Sequence, residues 1–281
     1  MDFYLFSAAL SIEKLTVKIP DLPKSMHGFK IVQMSDLHYD GVRLSEEILE
    51  QAITFTNKAK PDLICLTGDY ISYSPTPIHQ LALRLKKLES RFGIYAVLGN
   101  HDLYKTGAKE EVINALTGID VKVLWNEISY PFGEGLAVVG LADYWSKEFN
   151  PASVLDNFDP TIPRIVLSHN PDTAEILKQW RVDLQLSGHT HGGQIVIPGF
   201  GSILRLSKLQ SQIRSQIPRK IRRKIPFMGG DFTRVVGNWR WSEGFHKVGN
   251  NQLYVNRGLG SYEPGRLFCP PEVTIITLDI G

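Results

Sequence analysis

Five times in this chain a short apolar run of strand length stops at a small residue and gives way to a polar cluster: "FKIVQMSDLH", "DLICLTGDY", "GIYAVLGNHD", "RIVLSHNP" and "VDLQLSGHTH". The runs are rich in Ile, Val and Leu and lack strict alternation, which is the pattern of strands covered on both faces. Between the first runs the spacing predicts amphipathic helices. One spans 45–59, with Ser45 as N-cap and Ile48, Leu49, Ala52, Ile53 and Phe55 as apolar positions; the other spans 78–90, with Leu81, Leu85 and Leu88. Further strands are expected at "LAVVGLA", "GQIVIP", "QLYVN" and "EVTIITL", with few helices among them. The chain is thus expected to form an α/β fold of two packed sheets with helices outside. Its 281 residues suit one domain, 1–281, with a large core.

In open α/β sheets ligands sit beyond the carboxyl ends of the strands, so the polar clusters should converge there. They hold Asp36 and His38, Asp69, Asn100, His101 and Asp102, His169, then His189 and His191. A single histidine on an apolar stretch is most often a packing residue. Five of the chain's eight histidines sharing one structural address are not independent packing residues. Imidazole mixed with carboxylate and amide oxygen suits manganese, iron, zinc or cobalt better than calcium or magnesium, which prefer oxygen alone. The donors exceed the need of one ion and match two. A pair of ions can clamp both the attacking and the leaving oxygen in a displacement at phosphorus. Glycines at 68, 99, 188, 192 and 193 allow the close backbone approach that such convergence needs.

The ordered set "DLH", "GDY", "GNHD", "SHN" and "GHTH" resembles the five blocks of the calcineurin-like metallophosphoesterase superfamily, over roughly Phe29 to Gln194. With "VNRGLG" and "PEVTIITL" near the end, the variants "SDLH" and "GHTHGGQ" look like its bacterial subgroup of small phosphodiesterases and lipid-nucleotide pyrophosphatases. The resemblance implies a four-layer α/β/β/α sandwich of two mixed sheets and a hydrolase acting on phosphodiester or pyrophosphate bonds. It also implies two divalent ions, manganese first and iron, zinc or cobalt as alternatives. By motif position Asp36, His38 and His191 would hold one ion, and Asn100, His169 and His189 the other, with Asp69 bridging. His101 would be the non-ligand histidine that protonates the leaving oxygen or stabilises the phosphoryl charge, and Asp102 would orient its neighbours. One departure stands out. Phosphoprotein phosphatases of the superfamily carry an acidic residue and an Arg-Gly pair after their G-D; "GDYISYS" has Ser72 at the acidic position and no such pair. Protein phosphatase activity is therefore not expected.

Charge is distributed unevenly. Between Asp183 and Asp231 there is no acidic residue, while Arg205, Lys208, Arg214, Arg219, Lys220, Arg222, Arg223 and Lys224 all fall there. Within this basic insert, at about 201–228, Leu206, Leu209, Ile213 and Ile217 recur at helical spacing. Such a segment can be a lid packed on the protein, an amphipathic face for anionic membrane or lipid substrate, or a nucleic-acid contact. The run 202–226 contains no aromatic residue for stacking on bases, which ranks nucleic acid below the other two. As candidate substrate- or membrane-binding residues we take Arg205, Lys208, Arg219, Arg222, Arg223 and Lys224. Trp239 and Trp241 follow, as interfacial anchors or core.

The opening "MDFYLFSAAL" is too short to span a bilayer and has no basic flank, so it reads as a strand or a loose surface anchor. With two cysteines, Cys65 and Cys269, no disulfide framework is expected. The expected location is the cytoplasm, at or near the membrane periphery. The expected substrate is a lipid-linked nucleotide of the UDP-diacylglucosamine type at a membrane surface, and no protein partner is inferable. A nuclease or nucleotide phosphodiesterase is the alternative enzyme, and a non-catalytic scaffold of the same fold the alternative class; the complete ligand set argues against the latter.

Overall fold

In a computed structural model of the chain the described residues are 8–199, 201–202, 237 and 239–281. In chain order the first strands are β1 (Ser11–Ile19), β2 (Lys30–Met34), β3 (Leu63–Leu66), β4 (Ile94–Ala96) and β5 (Val121–Val123). Then come β6 (Glu127–Ser129), β7 (Ala137–Gly140), β8 (Arg164–Leu167) and β9 (Leu184–Ser187), followed by the short pair β10 (Val196–Ile197) and β11 (Gly201–Ser202). The chain closes with β12 (Gly244–Val248), β13 (Asn251–Val255) and β14 (Glu272–Ile280). Among the described residues five α-helices are interleaved: α1 (Glu46–Ala59), α2 (Ile78–Leu85), α3 (Ala108–Thr117), α4 (Ala152–Leu155) and α5 (Thr173–Leu177).

Two six-stranded sheets result, ordered β1-β14-β2-β3-β4-β5 and β12-β13-β9-β8-β7-β6. In the first, β2 to β5 run parallel and β14 joins antiparallel to β2. In the second, β7, β8, β9 and β13 run parallel, with β6 and β12 antiparallel at the edges. Both mixed sheets present the carboxyl ends of their parallel strands.

The uninterrupted apolar runs are explained by the layers. Ile31, Leu63 and Cys65 pack between the sheets against Val138, Ile165, Leu167, Leu184 and Leu186. Their neighbours Val32, Ile64 and Leu66 point the other way, onto Leu49, Ile53, Leu81 and Val112 of the first three helices. On the far side, Val139 and Val166 pack against Leu155 and Leu177 of α4 and α5. Successive side chains of one strand therefore enter different cores, and each fully buried aliphatic residue contributes about 1.5–3 kcal/mol. The expected α/β/β/α layering is what forms.

Ser45 caps α1, its Oγ accepting the Ile48 N–H at 3.2 Å, with Glu46 and Glu47 in the first turn facing the positive end of the helix dipole. Two local expectations are corrected. Phe55 is 41% exposed, and Thr56 takes the buried position beside it. α2 ends at Leu85, not Ser90: the bonds from Lys87 N to Arg84 O and Leu88 N to Leu85 O tighten the last turn out of α geometry, yet Leu88 stays buried. Among the described residues the first strand begins at Ser11, and residues 1–7 of the apolar opening lie outside them. Cys65 and Cys269 are buried free thiols.

Candidate metal centre

All five polar clusters leave carboxyl ends of parallel strands: Asp36 and His38 follow β2, Asp69 follows β3, Asn100 to Asp102 follow β4, His169 follows β8, and His189 and His191 follow β9. The loops are stitched together by backbone bonds from Asp36 N to Gly68 O (2.9 Å), His38 N to Asp69 O (3.0 Å) and Gly188 N to His169 O (3.0 Å). Asp36, His38, Asp69, His189 and His191 all have positive φ, between 44° and 72°. That conformation costs a side-chain-bearing residue about 1–2 kcal/mol, a cost concentrated at this one place. Gly68 and Gly188 are required sterically as well. A Cβ on Gly68 would stand 2.5 Å from Gly99 N, and one on Gly188 would overlap the Asp36 carboxylate.

The side chains form three overlapping trios. Asp36, His38 and His191 bring their ligand atoms together, as do Asp69, His169 and His189, and His38, Asp69 and His101 join the two. Asp69 Oδ2 lies 3.1 Å from His169 Nε2 and 3.5 Å from His38 Nε2, between the trios. His191 Nε2 lies 3.5 Å from Asp36 Oδ1 and 3.1 Å from His38 Nε2, and His189 Nδ1 lies 3.1 Å from His169 Nε2.

Tautomers sharpen the picture. His169 Nδ1 donates to Thr67 O at 2.7 Å, and His191 Nδ1 to Gly260 O at 3.1 Å, so in the neutral rings both Nε2 atoms present lone pairs to the centre. Arg266, itself buried, donates from Nη2 to the same Gly260 oxygen at 2.6 Å and fixes the acceptor that orients His191. Asn100 Nδ2 donates to the Tyr104 hydroxyl at 3.1 Å, while its Oδ1 is buried without a hydrogen-bond partner. Buried carboxylates, the lone pairs of the neutral rings and an orphan amide oxygen repel one another unless a proton, as on His169, or a cation stands among them. The donor set fits divalent ions.

Electrostatics agree. Burial pushes the His38 imidazole down to about 3 and His191 well below its ordinary range, which keeps both neutral. Burial, reinforced by Asp69, raises the Asp36 carboxyl to about 6 against the pull of His169. Burial works against charge on both Asp69 and His169, but their mutual attraction prevails: Asp69 falls well below the carboxylate range and His169 rises to about 10.

His101 flanks the centre. Its backbone N–H donates to Asp69 Oδ1 (2.8 Å), its Nδ1 to Ser72 O (2.8 Å), and its Nε2 lies 3.4 Å from the Tyr262 hydroxyl. Ser72, which stands where the phosphoprotein phosphatases carry an acidic residue, thus orients His101 through its main-chain carbonyl, a neutral acceptor in place of a carboxylate. Asp102 touches no candidate ligand side chain. Its Oδ2 accepts the N–H groups of Asp69 and Gly99 and its Oδ1 those of Tyr70 and Ile71, at 2.9–3.3 Å. Burial raises its carboxyl, with Asp69 adding to the rise and the Gly99 and Ile71 N–H groups opposing it.

Four residues near the centre escaped sequence reasoning. Asp143, buried beyond β7, follows its strand as the five clusters do and could have been found by that rule. Arg43, Tyr262 and Arg266 stand on loops without such a signal. Tyr262 places its hydroxyl 3.1 Å from His38 Nδ1. Arg205, Lys208, Arg219, Arg222, Arg223 and Lys224, with the apolar stripe between them, lie outside the described residues. Trp241, half-buried, packs against the cluster of Ala174, Val248, Leu253 and Val255. Among the described residues no helix is long and apolar enough to cross a membrane.

Comparison with known proteins bears on this geometry. A sequence model described as calcineurin-like phosphoesterase matches residues 29–193. The chain is 32% identical to the uncharacterized metallophosphoesterase YkuE of Bacillus subtilis, covering 98% of this chain and 87% of that one. It is 31% identical to the phosphodiesterase YaeI of Escherichia coli, over 89% and 82% of the two chains. It is 28% identical to the UDP-2,3-diacylglucosamine pyrophosphatase LpxG of Chlamydia muridarum, over 95% and 88%. One solved structure of 11% identity superposes with a TM-score of 0.51 over 81% of this chain and 90% of its own, a likeness of fold.

Proposed function

Because this chain belongs to the calcineurin-like phosphoesterase family and is a phosphoester hydrolase, we propose that it cleaves the phosphodiester or pyrophosphate bond of a lipid-linked nucleotide, of the UDP-diacylglucosamine type, at an anionic membrane surface. The observation that carries the chemistry is the convergence of buried lone pairs with the orphan Asn100 oxygen. Asp36, His38 and His191 would hold one divalent ion and Asn100, His169 and His189 the second, with Asp69 available to both. Bound there, the ions would supply polarisation of the phosphoryl oxygens and activation of the attacking water. Manganese is the first candidate.

The chain's own residues do the rest. Thr67 and Gly260 carbonyls hold the His169 and His191 rings with Nε2 inward. Ser72 O holds His101 by Nδ1, which leaves Nε2 to deliver a proton to the leaving oxygen or a hydrogen bond to the phosphoryl charge. Asp102 anchors the backbone from which Asp69 projects.

The substrate class is supported by the likeness to LpxG over nearly the whole chain and by the basic residues Arg205, Lys208, Arg219, Arg222, Arg223 and Lys224, which suit an anionic headgroup layer. The test is turnover by the manganese-loaded protein of bis(p-nitrophenyl) phosphate, of UDP-diacylglucosamine in mixed micelles, and of cyclic nucleotides and single-stranded DNA. His101→Ala should lower kcat by about 10²–10⁴. Turnover of DNA or cyclic nucleotides with none of the lipid nucleotide would replace this substrate class by the nucleic-acid one. Equal rates for His101→Ala and the native protein would remove His101 from the chemistry.

A further inference from the structure

Arg43 stands at the rim of the centre in a setting that the hydrolytic scheme does not use. Its guanidinium lies over the Tyr262 ring, 4.6 Å from the centroid, and over the Tyr73 ring, 5.0 Å away. Asp40 occupies one edge, accepting from Nη1 and, at 2.9 Å, from the Arg43 backbone N–H. Among the described residues Nε, which is buried, and Nη2 have no partner. The Arg43 carbonyl accepts the Ser261 N–H at 2.9 Å, which ties this loop to the one that bears Tyr262. The side chain is 21% exposed, so the fork is held in place yet open on one side.

Both tyrosines that clamp it also touch the centre. The Tyr262 ring is 5.0 Å from the His38 ring and 5.3 Å from that of His191, and the Tyr73 ring is 6.1 Å from that of His101. One aromatic ring thus separates the guanidinium from a candidate ligand, on the flank occupied by His101. The Arg43 charge is felt at His38, where it disfavours a proton. A planar cation pinned between two rings, with donors unspent, recognises tetrahedral oxyanions, and it loses little side-chain freedom on doing so.

We propose that Arg43 binds a second phosphate of the substrate, the one adjoining the phosphorus under attack, and so makes the enzyme selective for diphosphate linkages over isolated phosphodiesters. This rests on the hydrolase reading given above. In the step, the water oxygen bonds to the attacked phosphorus and the bond to the bridging oxygen breaks. The electron pair stays on the leaving phosphate, and the protons of the water pass to the two phosphate products or to solvent. Negative charge grows on the leaving phosphate as the bond breaks, and the Arg43 charge would stabilise it there. A single-phosphate diester offers the fork no such partner.

The experiment measures kcat/KM of the manganese-loaded full chain for two substrates, a UDP-sugar lipid with its diphosphate and bis(p-nitrophenyl) phosphate with one phosphate. In Arg43→Gln the ratio of the two should fall at least tenfold, with part of it restored in Arg43→Lys, which keeps the charge and loses the fork. Thermal melts and ion content of both variants establish that they are folded and loaded. A ratio within twofold of the native value in both variants, with the native protein active on both substrates, overturns this inference alone. A native protein inert on both substrates overturns the hydrolase reading and this inference together.

Discussion

Asp102→Asn is a near-isosteric change whose cost can be worked from the structure. The carboxylate accepts two backbone N–H groups on each oxygen, those of Asp69 and Gly99 at 2.9 Å on Oδ2, and those of Tyr70 at 2.9 Å and Ile71 at 3.3 Å on Oδ1. Whichever way the amide is turned, its NH₂ faces two buried donors. Each donor left without an acceptor costs about 1–3 kcal/mol, so the substitution should destabilise the protein by about 2–6 kcal/mol. For a chain of this size that corresponds to a fall of about 4–12 °C in Tm, taking about 2 °C for each kcal/mol. The same N–H groups fix the turn that carries Asp69, so ion affinity should drop about 10–100-fold, as for other partners that orient ligands. Circular-dichroism melts and titration with manganese measure both. A Tm shift under about 2 °C together with native ion affinity would refute the claim that Asp102 organises this backbone.

Asn100→Leu should remove one ion per chain while lowering the Tm of ion-free protein by no more than about 2 °C, because the buried Oδ1 has no partner to lose and only the Tyr104 bond is forfeited; a loss above about 3 kcal/mol would contradict that orphan acceptor. His169, raised to about 10 in the ion-free protein, carries its proton at pH 8, and an ion taking its Nε2 must expel it. Calorimetric titration with manganese in buffers of differing ionisation enthalpy should show release of about one proton at pH 8, vanishing as pH rises through the raised value; no release at pH 8 would exclude His169 as a ligand. Neutralising Arg222, Arg223 and Lys224 together should weaken cosedimentation with phosphatidylserine vesicles roughly 100-fold, at about 1 kcal/mol for each charge; undiminished cosedimentation would count against this patch as the membrane contact.

The layering and the convergence of the polar clusters were legible because strands buried on both faces write continuous apolar runs, and because each candidate ligand follows the end of such a run. What stayed hidden lies where side chains act through the backbone or from irregular loops. No residue pattern announces that Ser72 offers His101 its carbonyl, or that five candidate ligand positions adopt positive φ. Tyr262 and Arg266 come from the loop between β13 and β14, far in sequence from the blocks and without an apolar run to place them. Phe55 shows the limit of periodicity: it satisfies a helical stripe by hydrophobicity, but its angular position faces solvent, and the smaller Thr56 fills the space against Met34.

The account stands on two ions gripped at one place by seven side chains, and anomalous diffraction from crystals grown with manganese tests it most directly. It predicts two peaks about 3.5–4 Å apart, with Asp69 touching both, one shared with Asp36, His38 and His191 and the other with Asn100, His169 and His189. A single peak, or a pair lying away from Asp69, would contradict it.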